Sequence, residues 1–205
     1  MKDKIIIAIG REFGSGGREI ARKVSEKLGI KMYDKELISL IAKDSGMSED
    51  VLHEVDETAT NSFLYALSSG AFSGSPLVAA GMSNLPITDK AFITCSQIIK
   101  DLAEKESCVI VGRCAEAILK DNKNVLSVFI HADVERRIDR IVEHEGISRK
   151  EALSVIKRAD KKRESYHNYY SDTRWGSRAA YDICINSCIG IDAAAEIIRI
   201  AAENK

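Results

Sequence analysis

Gly14-Ser15-Gly16-Gly17-Arg18 follow closely on the apolar run Ile5–Ile9 and lead into an amphipathic helical pattern from about Gly17 to Leu28. A strand, a glycine-rich turn and a helix in that order build an anion site from backbone alone. The first amides of a helix have no intrahelical partner and carry the positive end of its dipole. Glycine lets the chain take positive φ and approach a phosphate closely. Gly14, Ser15, Gly16 and Gly17 are therefore read as a phosphate cradle, with Arg18 as the adjacent cation. The competing reading is a glycine-rich strand-to-helix turn with no ligand.

The loop departs from the standard triphosphate pattern G-x-x-x-x-G-K-[ST]. If Gly16 is its last glycine, Gly17 stands in the lysine position and Arg18 comes one residue late, about 100° further round the helix. If Gly17 is, Arg18 is the cation and Glu19 stands where a magnesium-binding hydroxyl belongs. Either register lacks that hydroxyl, leaving Ser15 and water as substitutes. The dinucleotide pattern G-x-G-x-x-G also fails, since Gly14 and Gly16 are followed by Glu19.

The elements that must hold this loop are legible as near-continuous apolar runs at Ile5–Ile9, Cys108–Val111, Leu126–Ile130 and Asp182–Ile185, with a weaker one at Lys31–Tyr33. Helical patterns separate them, near Gly17–Leu28, Lys35–Ser45, Ser48–Val55, Thr88–Glu104, Cys114–Lys120, Val134–His144, Ser148–Tyr170 and Asp192–Asn204. Buried strands alternating with helices predict a doubly wound, three-layer α/β fold with a mostly parallel five-stranded sheet and helices on both faces. Ser148-Arg149-Lys150-Glu151 has the form of a capping box opening the longest helix.

At 205 residues and 45% hydrophobic content the chain is expected to be a single domain, 1–205. Thr58 to Pro86, rich in Ser, Gly and Ala and holding both prolines, reads as a partly helical insertion with a mobile loop, within about 56–87. Arg149 to Arg178 is locally basic and carries Tyr166, Tyr169, Tyr170 and Trp175, which reads as a folded basic lid at about 146–178. A net charge of −1 gives no nucleic-acid signature, and no apolar run approaches a membrane span. The expected location is cytoplasmic, without nucleic-acid or membrane partners. The five cysteines, 95, 108, 114, 184 and 188, read mostly as reduced core thiols rather than zinc ligands or disulfides, and the four histidines read as isolated or capping groups.

Taken together, these landmarks resemble the cytidylate kinase-like family of P-loop nucleoside monophosphate kinases. The resemblance runs from Ile5 to about Ala202. It is carried by Ile7-Ala8-Ile9-Gly10-Arg11-Glu12-Phe13-Gly14-Ser15-Gly16-Gly17-Arg18, Tyr33-Asp34-Lys35-Glu36-Leu37-Ile38, Val109-Ile110-Val111-Gly112-Arg113, Asp160-Lys161-Lys162-Arg163 and Tyr181-Asp182-Ile183-Cys184-Ile185-Asn186. It implies a P-loop NTPase fold with a helical insertion and a basic lid. The loop residues with Arg18 would hold the donor phosphates and Arg113 the acceptor phosphate. Asp160 and Arg163 would serve as ribose-binding aspartate and phosphate-binding arginine, and Asp34 would open the acceptor segment. Arg18 and Arg163 would be the catalytic pair. Asp34 could instead be a helix N-cap, and Asp160 with Arg163 an exposed i,i+3 ion pair. Cys114, Val111 and Leu40 stand where the family pattern places substrate-reading groups.

The expected activity is ATP-dependent transfer of a phosphoryl group to a nucleoside monophosphate, cytidylate-like, or a related small phosphorylated acceptor, with Mg²⁺ held through phosphates and water. A nucleotide-binding or sensor protein that has lost transfer is the alternative. The partners are thus a nucleoside triphosphate donor and a small-molecule phosphate acceptor, and no oligomeric state follows from the sequence.

Overall fold

A computed structural model describes residues 4–57 and 85–205. The expected insertion loop within 58–84 lies outside these residues. Five strands form one all-parallel sheet: β1 (Ile6–Arg11), β2 (Lys31–Tyr33), β3 (Cys108–Val111), β4 (Val125–His131) and β5 (Ile183–Asn186), in the order β2-β3-β1-β4-β5. In register, Ile9 of β1 lies beside Val111 of β3 and Val128 of β4.

Alternation of side chains across the pleat sends successive residues of β1 to opposite faces. Ile6 and Ala8 join one buried cluster with Leu37, Ile99, Cys108 and Ile110. It packs against α2 (Glu36–Ser45), α3 (Glu49–Val55) and α4 (Ile87–Lys105). Ile7 and Ile9 join another with Ile20, Val24, Val128, Ile130 and Ile198. That one lies beneath α1 (Gly17–Leu28) and α8 (Ile191–Glu203). Two apolar faces covered by helices explain why these strands read as continuous apolar runs.

The direction in which strands are added across the sheet reverses beside β1: its own connection runs towards β2, whereas β4 and β5 lie on its other side. Such a switch point leaves a crevice beyond the strands' carboxyl ends. Several helix ends are set by local chemistry. Gly29 closes α1 in the left-handed conformation, its amide donating to the Glu26 and Ser25 carbonyls. Ser148 opens α7 (Arg149–Tyr170) with the expected capping box to Glu151. α7 docks on α6 (Val134–Glu145) through Ile138, Ile141, Ala152 and Ile156, with Phe13 of the loop against them. Its far end meets α4 by stacking Tyr170 on Phe92, with ring centroids 3.8 Å apart. This anchors the basic segment across the sheet edge.

Two expectations need correction. The expected helix Cys114–Lys120 shrinks to α5 (Ala115–Ile118): Cys114, with φ 56°, stays outside its start, and Leu119, with φ −103° and ψ 16°, closes its end. Among the cysteines, 95, 108 and 114 are buried, but Cys184 is exposed on the edge strand β5 and Cys188 is half-buried; all five are free thiols.

Candidate active site

The turn after β1 is a backbone device. Gly14 and Gly16 both have φ 78°, a conformation that costs other residues about 1–2 kcal/mol. The first ladder bond of α1 runs from the Ile20 amide to the Gly16 carbonyl at 3.0 Å, leaving the amides of Gly17, Arg18 and Glu19 outside the ladder. Gly17 is needed for space, since a Cβ there would lie 2.6 Å from Arg11 Cβ. Ser15 is buried. Its hydroxyl donates to the Glu12 carbonyl at 2.9 Å, and its own carbonyl accepts from Ser187 at 2.6 Å, so it braces the turn. From the long helix, Asp160 accepts from the Phe13 amide at 2.7 Å and pairs with Arg137 at 2.5 Å.

Arg113 stands at the carboxyl end of β3, in a run of three left-handed residues, Gly112, Arg113 and Cys114. Only 5% of it is exposed. Its guanidinium grips both oxygens of Asp56 at 3.0 Å and donates to the Asp34 carbonyl at 3.0 Å. The two-pronged match is what a planar fork does and an ammonium cannot. Beside it Glu57 is the meeting point of three arginines. Its carboxylate accepts from Arg11 at 2.7 Å, from Arg163 at 3.3 Å and from the Arg113 amide at 3.3 Å. Arg163 also donates to the Arg11 carbonyl at 3.2 Å and lies over the Phe13 ring.

The electrostatics follow from that packing. Burial opposes ionisation of Glu57, but the guanidiniums of Arg11, Arg163 and Arg113 outweigh it and hold the carboxyl far below its usual range. For Asp56 burial wins over Arg113, and its carboxyl is pushed up. Burial together with the nearby Arg11 charge lowers Arg163 to about 10. Burial pushes the Cys95 thiol up to about 12, so it is no thiolate nucleophile.

The sequence-predicted residues therefore fall into two groups. Arg113 and Arg163 come together at Glu57, whereas Asp160 and Arg163 do not pair: one braces the loop, the other reaches the cluster. Asp34 is not the cap of α2, whose N-cap is Lys35. It is buried, with its carboxylate paired to Arg18 and its carbonyl bonded to Arg113, so it links the loop cation to the arginine cluster. Arg18 itself is more than half exposed on the first turn of α1. Leu40 packs partly buried against the α2 cluster.

Arg11, Asp56 and Glu57 escaped the sequence reading. Arg11 had a signal, lying between strand and loop; the acids close α3 and reach the site only through the fold. His167 is also misread as isolated. It is buried with Nε2 2.9 Å from Glu116, at a cleft shared with Arg11, Glu57, Arg113 and Tyr181. Among the described residues, neither ring nitrogen nor Glu116 Oε1 has hydrogen-bond geometry with a partner. Among the described residues no group of His, Cys, Asp or Glu is arranged to hold a metal ion, and no helix is long and apolar enough to cross a membrane.

Comparison with known proteins agrees with this architecture. A cytidylate kinase from Archaeoglobus fulgidus is 29% identical over 97% of this chain and 95% of its own length. One from Pyrococcus horikoshii is 26% identical over 91% of this chain and 81% of its own. An uncharacterised protein from Eubacterium ventriosum superposes with TM-score 0.73 at 36% identity, covering 98% of this chain and all of the other. A shikimate kinase from Bacteroides thetaiotaomicron, at 14% identity and TM-score 0.55, shares the P-loop kinase fold over 97% of this chain and 98% of its own. The profile of the cytidylate kinase-like family matches residues 6–188, and the chain belongs to that family.

Proposed function

We propose that the protein transfers a phosphoryl group from ATP to a nucleoside monophosphate, cytidylate-like, or a related small phosphorylated acceptor. The observation that carries this reading is the position of Arg11. Its Cβ sits against Gly17 at the head of α1, while its guanidinium lies against Gly112 and Glu57 in the cluster. One residue thus spans an amide-lined anion cradle and a guanidinium-lined one, the arrangement that phosphoryl transfer between two anions requires.

In this reading the amides of Gly17, Arg18 and Glu19 hold the donor phosphates, turned by Gly14, Ser15 and Gly16. Arg113 and Arg163 hold the acceptor phosphate, and Arg18 and Arg163 neutralise the transferring group. Asp160 and Asp34 act through the backbone of the loop and through Arg18 and Arg113. The nearby carboxylates are committed: Glu12 accepts from the Ala132 amide at 3.0 Å, Glu19 pairs with Arg140, and Asp34 pairs with Arg18. Mg²⁺ would accordingly be held by phosphates and water. Because Cys114 and Val111 occupy substrate-reading positions, the acceptor's base stays open.

A second reading, a nucleotide-binding protein without transfer, draws on the pairing of Arg18 with Asp34, which turns the loop's cation away from an unattached state. Labelled ATP offered with a panel of monophosphates and Mg²⁺ separates the two. Label appearing in one monophosphate supports transfer. ATP binding without transfer to any of them supports the second reading.

A further inference from the structure

Resting on the acceptor reading above, we propose that Glu57 is a resident counter-anion in the acceptor-phosphate position, and that an incoming phosphate opens the ligand cleft by displacing it. The guanidiniums of Arg11 and Arg163 and the backbone amide of Arg113 converge on one carboxylate at 2.7–3.3 Å, with the Arg113 guanidinium held beside them on Asp56. Arg11, Arg113 and Arg163 against Asp56 and Glu57 leave one net positive charge; without Glu57 two remain. That matches the two negative charges of a phosphate monoester.

The surrounding space points the same way. Two narrow clefts flank the cluster, one lined by Ile38, Leu52, Phe92 and Cys95, the other by Gly10, His167, Trp175 and Tyr181. Their common wall is Glu57, Arg113 and Tyr166. Displacing Glu57 takes away one of the three side chains of that wall. Glu57 is placed to move, because it follows the end of α3 and has φ 50°, a strained conformation that leaving the cluster would release.

The carboxylate therefore keeps the arginines assembled in the ligand-free protein and makes phosphate the group that unlocks the cleft. An unphosphorylated nucleoside cannot replace it.

Calorimetric titration of wild type, Glu57→Gln and Arg163→Ala with cytidine 5′-monophosphate, inorganic phosphate and cytidine tests this. Glu57→Gln is expected to tighten monophosphate and phosphate binding about tenfold with cytidine unaffected, whereas Arg163→Ala weakens both anions. Unchanged or weaker anion binding in a folded Glu57→Gln protein, with Arg163→Ala still weakening it, would overturn the displacement proposal and leave the acceptor site standing. Indifference of anion binding to both substitutions would overturn the acceptor reading itself. Hydrogen exchange in the wild type needs no variant. Inorganic phosphate should speed exchange across residues 49–57 as Glu57 leaves; slower or unchanged exchange at saturating phosphate contradicts displacement.

Discussion

The loop at the head of α1 and the arginine cluster around Glu57 are both fitted for anions and flank the same residue, Arg11, yet they are built in opposite ways. The loop is local: Gly14 to Glu19 supply the turn, the conformations and the free amides. The cluster is assembled at long range from β1, α3, β3 and α7, and its groups are side chains. A backbone site depends on what is missing, the Cβ atoms of Gly14, Gly16 and Gly17. A side-chain site depends on holding mutually repelling guanidiniums together until a ligand arrives, which explains why acids are packed among them.

Removing Arg113 should strike hardest, because the side chain is itself buried and its loss takes the two-pronged partner from the partly buried Asp56. Arg113→Ala is expected to cost about 3–5 kcal/mol of stability, read by denaturant unfolding, and Arg113→Lys should recover only part. A loss under about 1 kcal/mol, the scale of an exposed ion pair, would mean the cluster is not a structural unit.

Gly16→Ala addresses the other half. A left-handed alanine costs about 1–2 kcal/mol, and its Cβ would lie 2.6 Å from Ile191 Cδ1. ATP binding should fail while monophosphate binding persists, in calorimetry on the folded variant. Equal loss of both ligands would show that the two sites are not separable.

Arg163→Ala should have the converse, smaller effect. Acceptor binding is expected to weaken by about 1.5–3 kcal/mol, the range for hydrogen bonds to charged groups, with ATP affinity unchanged. Arg18→Ala should be the mildest for the fold, within about 1 kcal/mol since the side chain is largely solvated. Its turnover should still fall, with Arg18→Lys restoring part. A stability change well beyond that bound would make the Arg18–Asp34 pair structural rather than functional.

What was legible in the sequence follows the same division. β2, β3 and α1 lie where their apolar patterns and flanking glycines predict, because burial on both faces and helix caps are written within a few residues. β5 slips by one residue at each end, since Asp182 turns its carboxylate to the Ser127 amide and hydroxyl instead of joining the ladder. Arg113 and Arg163 could be named from their family pattern. Their convergence on Glu57 could not, because no local pattern marks an acid at the end of α3 as the partner of arginines on three other elements. His167 looked isolated for the same reason: Glu116 meets it only when α7 crosses the sheet edge.

Single-turnover transfer from γ-labelled ATP, measured for the wild type, Gly16→Ala and Arg163→Ala with saturating Mg²⁺ and a panel of nucleoside monophosphates, tests most directly that the two sites work as donor and acceptor of one reaction. The account predicts label in at least one monophosphate with the wild type, loss of transfer in Gly16→Ala through failed ATP binding, and in Arg163→Ala a lower rate that persists at saturating acceptor. Transfer by Arg163→Ala at the wild-type rate, or none by the wild type to any monophosphate despite binding of both ligands, would contradict it.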